Sequence, residues 1–196
     1  MRAKTNTFSE LFRSSFYSCE KDSETILRRL FLESEPYSTE LKKLLVINTK
    51  DCLDNSNQNY NVIAQNTSIN DLIEGQYITL DPRIQLGEHE EMKSYIVLSY
   101  DHFTPTSNPH YRDHTIHFDI LCPTQEWNIG DLRQRPLKIA GIIDGLLNEA
   151  RLSGIGTLKF SGMTELLINN DLAGYSLSFK ATNGNDDKLP ENVNDR

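Results

Sequence analysis

The sequence has no long hydrophobic run, little cysteine and no basic cluster, and each shortage removes a class of function. No apolar stretch approaches the roughly 20 residues that a membrane-spanning helix needs. The start, Met1-Arg2-Ala3-Lys4, has no apolar segment of a secretory signal behind it. A soluble protein made in the cytoplasm, with no membrane contact, is expected. The three cysteines, Cys19, Cys52 and Cys122, are odd in number and far apart. They match neither a disulfide framework nor metal-ligand spacing, and are expected to be structural thiols in a reducing compartment. Lys and Arg total 20 against 28 Asp and Glu, a net charge of −8. Without clustered cations for phosphate contacts, this balance argues against a nucleic-acid-binding surface.

Signatures of chemistry are missing too. There is no Gly-x-Ser-x-Gly elbow, and neither Cys52 nor Cys122 sits in a nucleophile pattern. Gly154-Ile155-Gly156 follows a helix, whereas a phosphate loop precedes one. Glu88, Glu90 and Glu91 read as a solvated charge run. The residues that draw attention are His102, His110, His114 and His117, with Asp101, Asp113 and Asp119 among them. A metal cluster is one reading. Against it, His114 and His117 stand three apart at a strand start, so they face opposite ways, and no recognised ligand spacing appears. The expectation is therefore no catalytic residue, no metal, no cofactor and no enzyme.

What is present centres on His114 to Ala181. Thr115 to Cys122 alternates as a half-buried strand and Pro123 ends it. A polar loop from Thr124 to Gly130 carries Trp127, the only tryptophan. A helix follows from Leu132 or Arg135 to Arg151, with Ile139, Ala140, Ile143, Leu146, Leu147 and Ala150 on one stripe. Pro136 suits its first turn and Gly154 its end. Gly141 and Gly145 share one face, where they are expected to let a strand approach. Ile155, Leu158 and Phe160 predict a short strand, Leu166 to Ile168 follow, and Tyr175, Leu177 and Phe179 alternate in a last one. The fold class expected is α+β: a small antiparallel or mixed sheet with one long helix packed across it.

Upstream, Phe8, Phe12 and Phe16 lie at helical spacing in an arm that is either a helix or ordered only by a partner. Ser23 to Leu32 predicts a helix capped by Ser23, Glu35-Pro36 breaks it, and a second helix opens at Ser38 with Leu41, Leu44 and Leu45 inward. The two are expected to pair as an N-terminal helical hairpin. Asp54 to Asn59 reads as loop, and Tyr60 to Glu88 as irregular short strands around Ile63 and Tyr77-Ile78. Ser94 to Tyr100 is a strand of strong β formers. Asp101 to Asp113 is expected to project as a long loop, a contact surface. Beyond Thr182 the chain is polar and acidic, a flexible tail. The divisions are thus 1–54 arm and hairpin, 55–182 core, 183–196 tail. Trp127 and Tyr111 each read either as a cap on the chain's own core, the commoner case, or as an anchor of a protein contact. Tyr111, Arg112 and Trp127 are the interface candidates.

The stretch from Tyr95 to Ala181 resembles bacteriophage head–tail joining proteins, especially the tail terminator group. The resemblance rests on Tyr95-Ile96-Val97-Leu98, Tyr111 to Ile120, Arg135-Pro136-Leu137-Lys138-Ile139-Ala140, Leu152 to Phe160 and Asn169 to Tyr175. It covers a little under half the chain and leaves the N-terminal helices out. It implies a virion structural protein of the neck or tail. Such a protein forms a homo-oligomer, a hexameric ring, that caps the tail tube and meets head or neck connector proteins. Genomic DNA only passes through the lumen, which an acidic lining would not hold. A head-completion or stopper connector protein is the near alternative, and a cytoplasmic protein-binding module or a histidine-based metalloenzyme the distant ones.

Overall fold

The computed structural model describes residues 19–80, 92–107, 111–130 and 132–184. The expected N-terminal arm, the Glu88–Glu91 run and residues 185–196 of the expected tail lie outside these residues. Helix α1 (Cys19–Phe31) starts earlier than its expected Ser23 cap. Ser23 lies within the helix, and its hydroxyl is 2.9 Å from the Tyr100 hydroxyl. Ile26, Leu27, Leu30 and Phe31 are buried, the spacing of one helical face. Arg28 and Arg29 in the last turn suit the negative end of the helix dipole. Ser34 then donates its hydroxyl to the Arg29 carbonyl at 2.7 Å, and its N–H to buried Ser38 Oγ at 3.2 Å. After a cis Glu35–Pro36 bond, α2 (Tyr37–Val46) returns with Leu41, Leu44 and Leu45 inward. The helical hairpin is present as expected.

The next segment differs from expectation. Residues read as irregular strands around Ile63 form α3 (Gln58–Asn66) and α4 (Ile69–Glu74). Their starts are set by short polar side chains. Asn57 Oδ1 accepts the Asn59 N–H at 3.1 Å. Ser68 and Asp71 make a reciprocal capping box, Asp71 N–H to Ser68 Oγ at 3.1 Å and Ser68 N–H to Asp71 Oδ2 at 2.7 Å. Those bonds hold the Asp71 carboxyl below its ordinary range. The strand expected at Tyr77-Ile78 is β1 (Ile78–Thr79), parallel to the next strand.

Strands β2 (Tyr95–Pro105) and β3 (Tyr111–Pro123) are antiparallel, with Tyr95 opposite Leu121 and Pro105 opposite Arg112. The long loop expected from Asp101 to Asp113 is therefore largely strand. Pro105 is compatible with an edge strand. After a 3-10 turn (Thr124–Glu126), β4 (Asn128–Ile129) and β5 (Arg133–Gln134) form a small hairpin leading into α5 (Arg135–Leu147). This helix ends four residues before the expected Arg151. Asn148 is extended, Glu149 adopts φ 59°, and its N–H bonds the Leu158 carbonyl at 2.7 Å. Gly154, φ 82°, serves instead the turn between β6 (Arg151–Leu152) and β7 (Gly156–Thr157). The expected strand through Ile155, Leu158 and Phe160 is thus broken: Ile155 lies in that turn, Leu158 between β7 and β8 (Lys159–Leu167), and only Phe160 in a strand. The last strand, β9 (Leu172–Gly184), runs two residues into the expected tail.

The main sheet has the order β1-β2-β3-β9-β8. The protein is α+β, with α5 laid across one face of a five-stranded mixed sheet. Ile96, Leu98, Ile116, Phe118, Ile120, Leu177 and Phe179 share one buried cluster with Ile139, Ala140, Ile143 and Leu147 of α5. The hairpin residues Ile26, Leu30, Leu41 and Leu44 belong to the same cluster. Phe118 and Phe179 meet edge to face, with ring centroids 5.8 Å apart. Gly174 is required where β9 crosses β3, because a methyl there would overlap the Ile120 carbonyl oxygen. Gly141 and Gly145 admit no strand: nothing lies within 4 Å of a methyl built at either, and both are exposed.

Candidate functional site

Three surfaces merit description, beginning with the polar face of the sheet. On β3 the even-numbered residues from His114 to Ile120 face the core and the odd-numbered ones face outward. The outward side chains pair with β9. Thr182 Oγ1 donates to Asp113 Oδ1 at 2.6 Å, and Ser176 Oγ to Asp119 Oδ1 at 2.5 Å. His117 Nδ1 lies 2.9 Å from Ser178 Oγ. A groove of about 860 Å³ crosses this face, lined by His102, Thr104, Asp113, His117, Ser178 and Lys180 among others.

At one end of that groove β2 carries a bulge between Asp101 and Thr104. His102 takes φ 52°, a left-handed conformation uncommon outside glycine. Its Nδ1 lies 2.5 Å from Asp101 Oδ1, and His117 Nε2 approaches the same oxygen at 3.0 Å. The second approach has the length of an ion pair but lacks hydrogen-bond alignment, and His117 Nε2 is buried without a hydrogen-bond partner. Partial burial pushes the Asp101 carboxyl up. The neighbouring His102 and His117 imidazoles outweigh that and hold it below its ordinary value.

His114 points the other way, as its spacing from His117 required. It is buried, stacked on Phe103 with ring centroids 5.3 Å apart and planes 10° apart, and 6.0 Å from Tyr100. Burial pushes its imidazole below the ordinary 6.5, opposed in part by the Arg112 backbone and the Asp113 carboxylate. Of the sequence's histidine group, the structure thus joins His102 and His117 with Asp101. The signal that sequence reading missed is the bulge, which turns adjacent residues Asp101 and His102 toward one point.

The second surface is the outer edge of the sheet. Among the described residues β8 pairs with no strand but β9; on its other edge the Phe160 N–H bonds Asn148 Oδ1 at 3.0 Å, and no strand covers the rest. Phe160 and Met163 are 45% and 41% exposed, and Leu167 is 79% exposed. The third surface is the set of interface candidates, which the fold separates. Tyr111, 36% exposed, and Arg112 lie at the start of β3, and Trp127 lies just beyond its end. Thirteen residues of extended strand put these ends about 40 Å apart. Trp127 is half-buried with its ring 6.2 Å from Tyr175.

One buried polar group joins the helical hairpin to the sheet. Arg135, fully buried at the start of α5, donates to four carbonyl oxygens. They belong to Leu44 at 2.8 Å, Ile47 at 2.9 Å, Thr49, and Glu126 at 3.1 Å. Its guanidinium closes the C-terminal end of α2, where cations are favoured. Cys52 and Cys122 are both buried, and burial raises both thiols, the latter to about 11. Among the described residues no helix is long and apolar enough to cross a membrane.

No curated protein matches the chain. A solved chain from the "Virion of native gene transfer agent (GTA) particle" aligns with TM-score 0.42 and 14% identity, covering 61% of this chain and 87% of that one. The family model described as YomW matches residues 38–181, from the first turn of α2 to the last strand of the main sheet. On that match, which spans most of its length, the chain belongs to the YomW family.

Proposed function

We propose that this protein is a non-catalytic structural component of a bacteriophage-type virion, acting as a ring subunit of the neck or tail. The finer reading is a tail terminator: a homo-oligomer, six copies in the group it resembles, that caps the tail tube and meets head or neck connector proteins. The observation that carries it is the open β8 edge. A nine-residue edge strand with exposed Phe160, Met163 and Leu167 is an aggregation hazard in a lone chain. Covered by a neighbouring copy, the same edge supplies backbone hydrogen bonds and apolar contact. Head-to-tail contacts of this kind close into rings when the rotation fits. Tyr111 and Arg112, at the end of the sheet where β3 still pairs with β9, offer a second contact. Acidic charge, −8 per chain, suits a lumen that DNA traverses without adhering.

Native mass spectrometry with negative-stain imaging of the full chain tests this reading. A closed ring is the expected result. A species that stays monomeric both alone and with tail tubes present would favour the protein-binding module.

A further inference from the structure

The geometry points to a divalent transition-metal site, of the zinc class, formed by Asp101, His102 and His117 at the β2 bulge. This inference stands independently of the virion reading and departs from the sequence, which predicts no metal. Oδ1 or Oδ2 of Asp101 and one ring nitrogen from each histidine lie within 4.8 Å of one another. In a regular strand Asp101 and His102 would face opposite sides. The bulge and the left-handed His102 bring both to one point, an arrangement that costs about 1 kcal/mol or more in backbone strain. Local strain of this kind needs a compensating interaction, and a shared cation supplies one.

The donor set matches the class. Two imidazoles and one carboxylate suit zinc, cobalt, nickel or ferrous iron, whereas magnesium and calcium prefer oxygen donors throughout. Metal–ligand bonds of about 2.0–2.1 Å on a tetrahedron place donors about 3.3 Å apart. The His117 to Asp101 separation of 3.0 Å is already close to that value. His102 stands nearer, at 2.5 Å, and its side chain is 77% exposed, so it has room to swing outward. His117 is the most constrained ligand. In the tautomer whose Nδ1–H donates to Ser178 Oγ, Nε2 presents a bare lone pair, and that nitrogen is buried without a hydrogen-bond partner. Ser178 thus plays the outer-sphere part that fixes tautomer and ring orientation at histidine metal sites. His102 and His117 both line the groove on the polar face.

The test uses the full-length chain without an affinity tag, at neutral pH. Equilibrium dialysis against Zn²⁺ is expected to load one ion per chain. Co²⁺ in its place is expected to give the visible absorption of a low-coordinate N/O site. His102→Ala, on an exposed residue, and His117→Gln are each expected to weaken binding by about 100-fold or more, and Ser178→Ala by about 10-fold. Circular dichroism of each variant establishes that the fold is kept. No stoichiometric binding by the wild-type chain overturns the proposal. So does full binding by the folded His102→Ala variant, because the ion would then sit elsewhere.

Discussion

At the scale of single residues, the strongest constraint is Arg135. A guanidinium removed from water is tolerated because four carbonyl oxygens from two stretches of chain, residues 44–49 and Glu126, surround it. Replacing it with methionine keeps volume but leaves those carbonyls without a donor, two of them at the end of α2. Denaturant unfolding of Arg135→Met is expected to show a loss of about 3–5 kcal/mol. Lysine, with a single ammonium in place of a fork, should recover only part of it. His114 makes a different prediction. Its folded-state imidazole titrates below 6.5, so on acidification the unfolded chain takes up the proton first. The stability is therefore intact above about pH 6.5 and falls as pH drops through the interval below it. His114→Phe should flatten that part of the stability–pH curve while keeping the stack on Phe103. A slope unchanged in the variant would assign the acid sensitivity to other groups. Neither role is visible in the sequence, where Arg135 opens a helix like any other first-turn residue and His114 belongs to a run of histidines.

At the scale of elements, legibility followed the period of the pattern. The α1–α2 hairpin, β3, α5 and β9 each carry an apolar repeat long enough to identify, and the structure contains all four. Helices α3 and α4 are short, nine and six residues, and of their apolar residues only Ala64 and Leu72 are buried. Their signal lay in Ser68-Ile69-Asn70-Asp71, a capping sequence whose mechanism does not need periodicity. Ser68→Ala is expected to cost about 1 kcal/mol, read as a lower denaturation midpoint at unchanged slope. Asp101 to Asp113 failed for another reason. Prolines and asparagine suggested loop, yet cross-strand pairing to β3 overrode that local preference as far as Pro105. The same pairing created the bulge, so the Asp101–His102–His117 group depends on register, which a single sequence does not display. The edge strand makes an element-scale prediction of its own. Met163→Lys places a charge on the exposed flank of β8 without touching the buried cluster. The variant is expected to fold normally and, if copies join through this edge as proposed, to sediment as a smaller species than the wild-type chain. An intact oligomer would place the subunit contact on another surface.

At the scale of the whole molecule, net charge would oppose the proposed assembly. Each chain carries a net −8, so closing several copies into a ring concentrates like charge within a few tens of ångströms. Self-repulsion of that kind is screened by salt, with a Debye length of about 10 Å at 0.1 M falling to about 3 Å at 1 M. Backbone hydrogen bonds and apolar contacts along β8 are far less sensitive to ionic strength. The two facts together fix a sign. If copies join through the β8 edge, raising salt should strengthen the assembly, lowering the protein concentration at which it forms. If instead they join through paired charges, the same titration should weaken it. Light scattering across a salt series at fixed protein concentration separates the two. A net-acidic subunit whose oligomer dissolves in salt would exclude the edge strand as the main contact, while leaving the fold and the buried Arg135 bridge as they are.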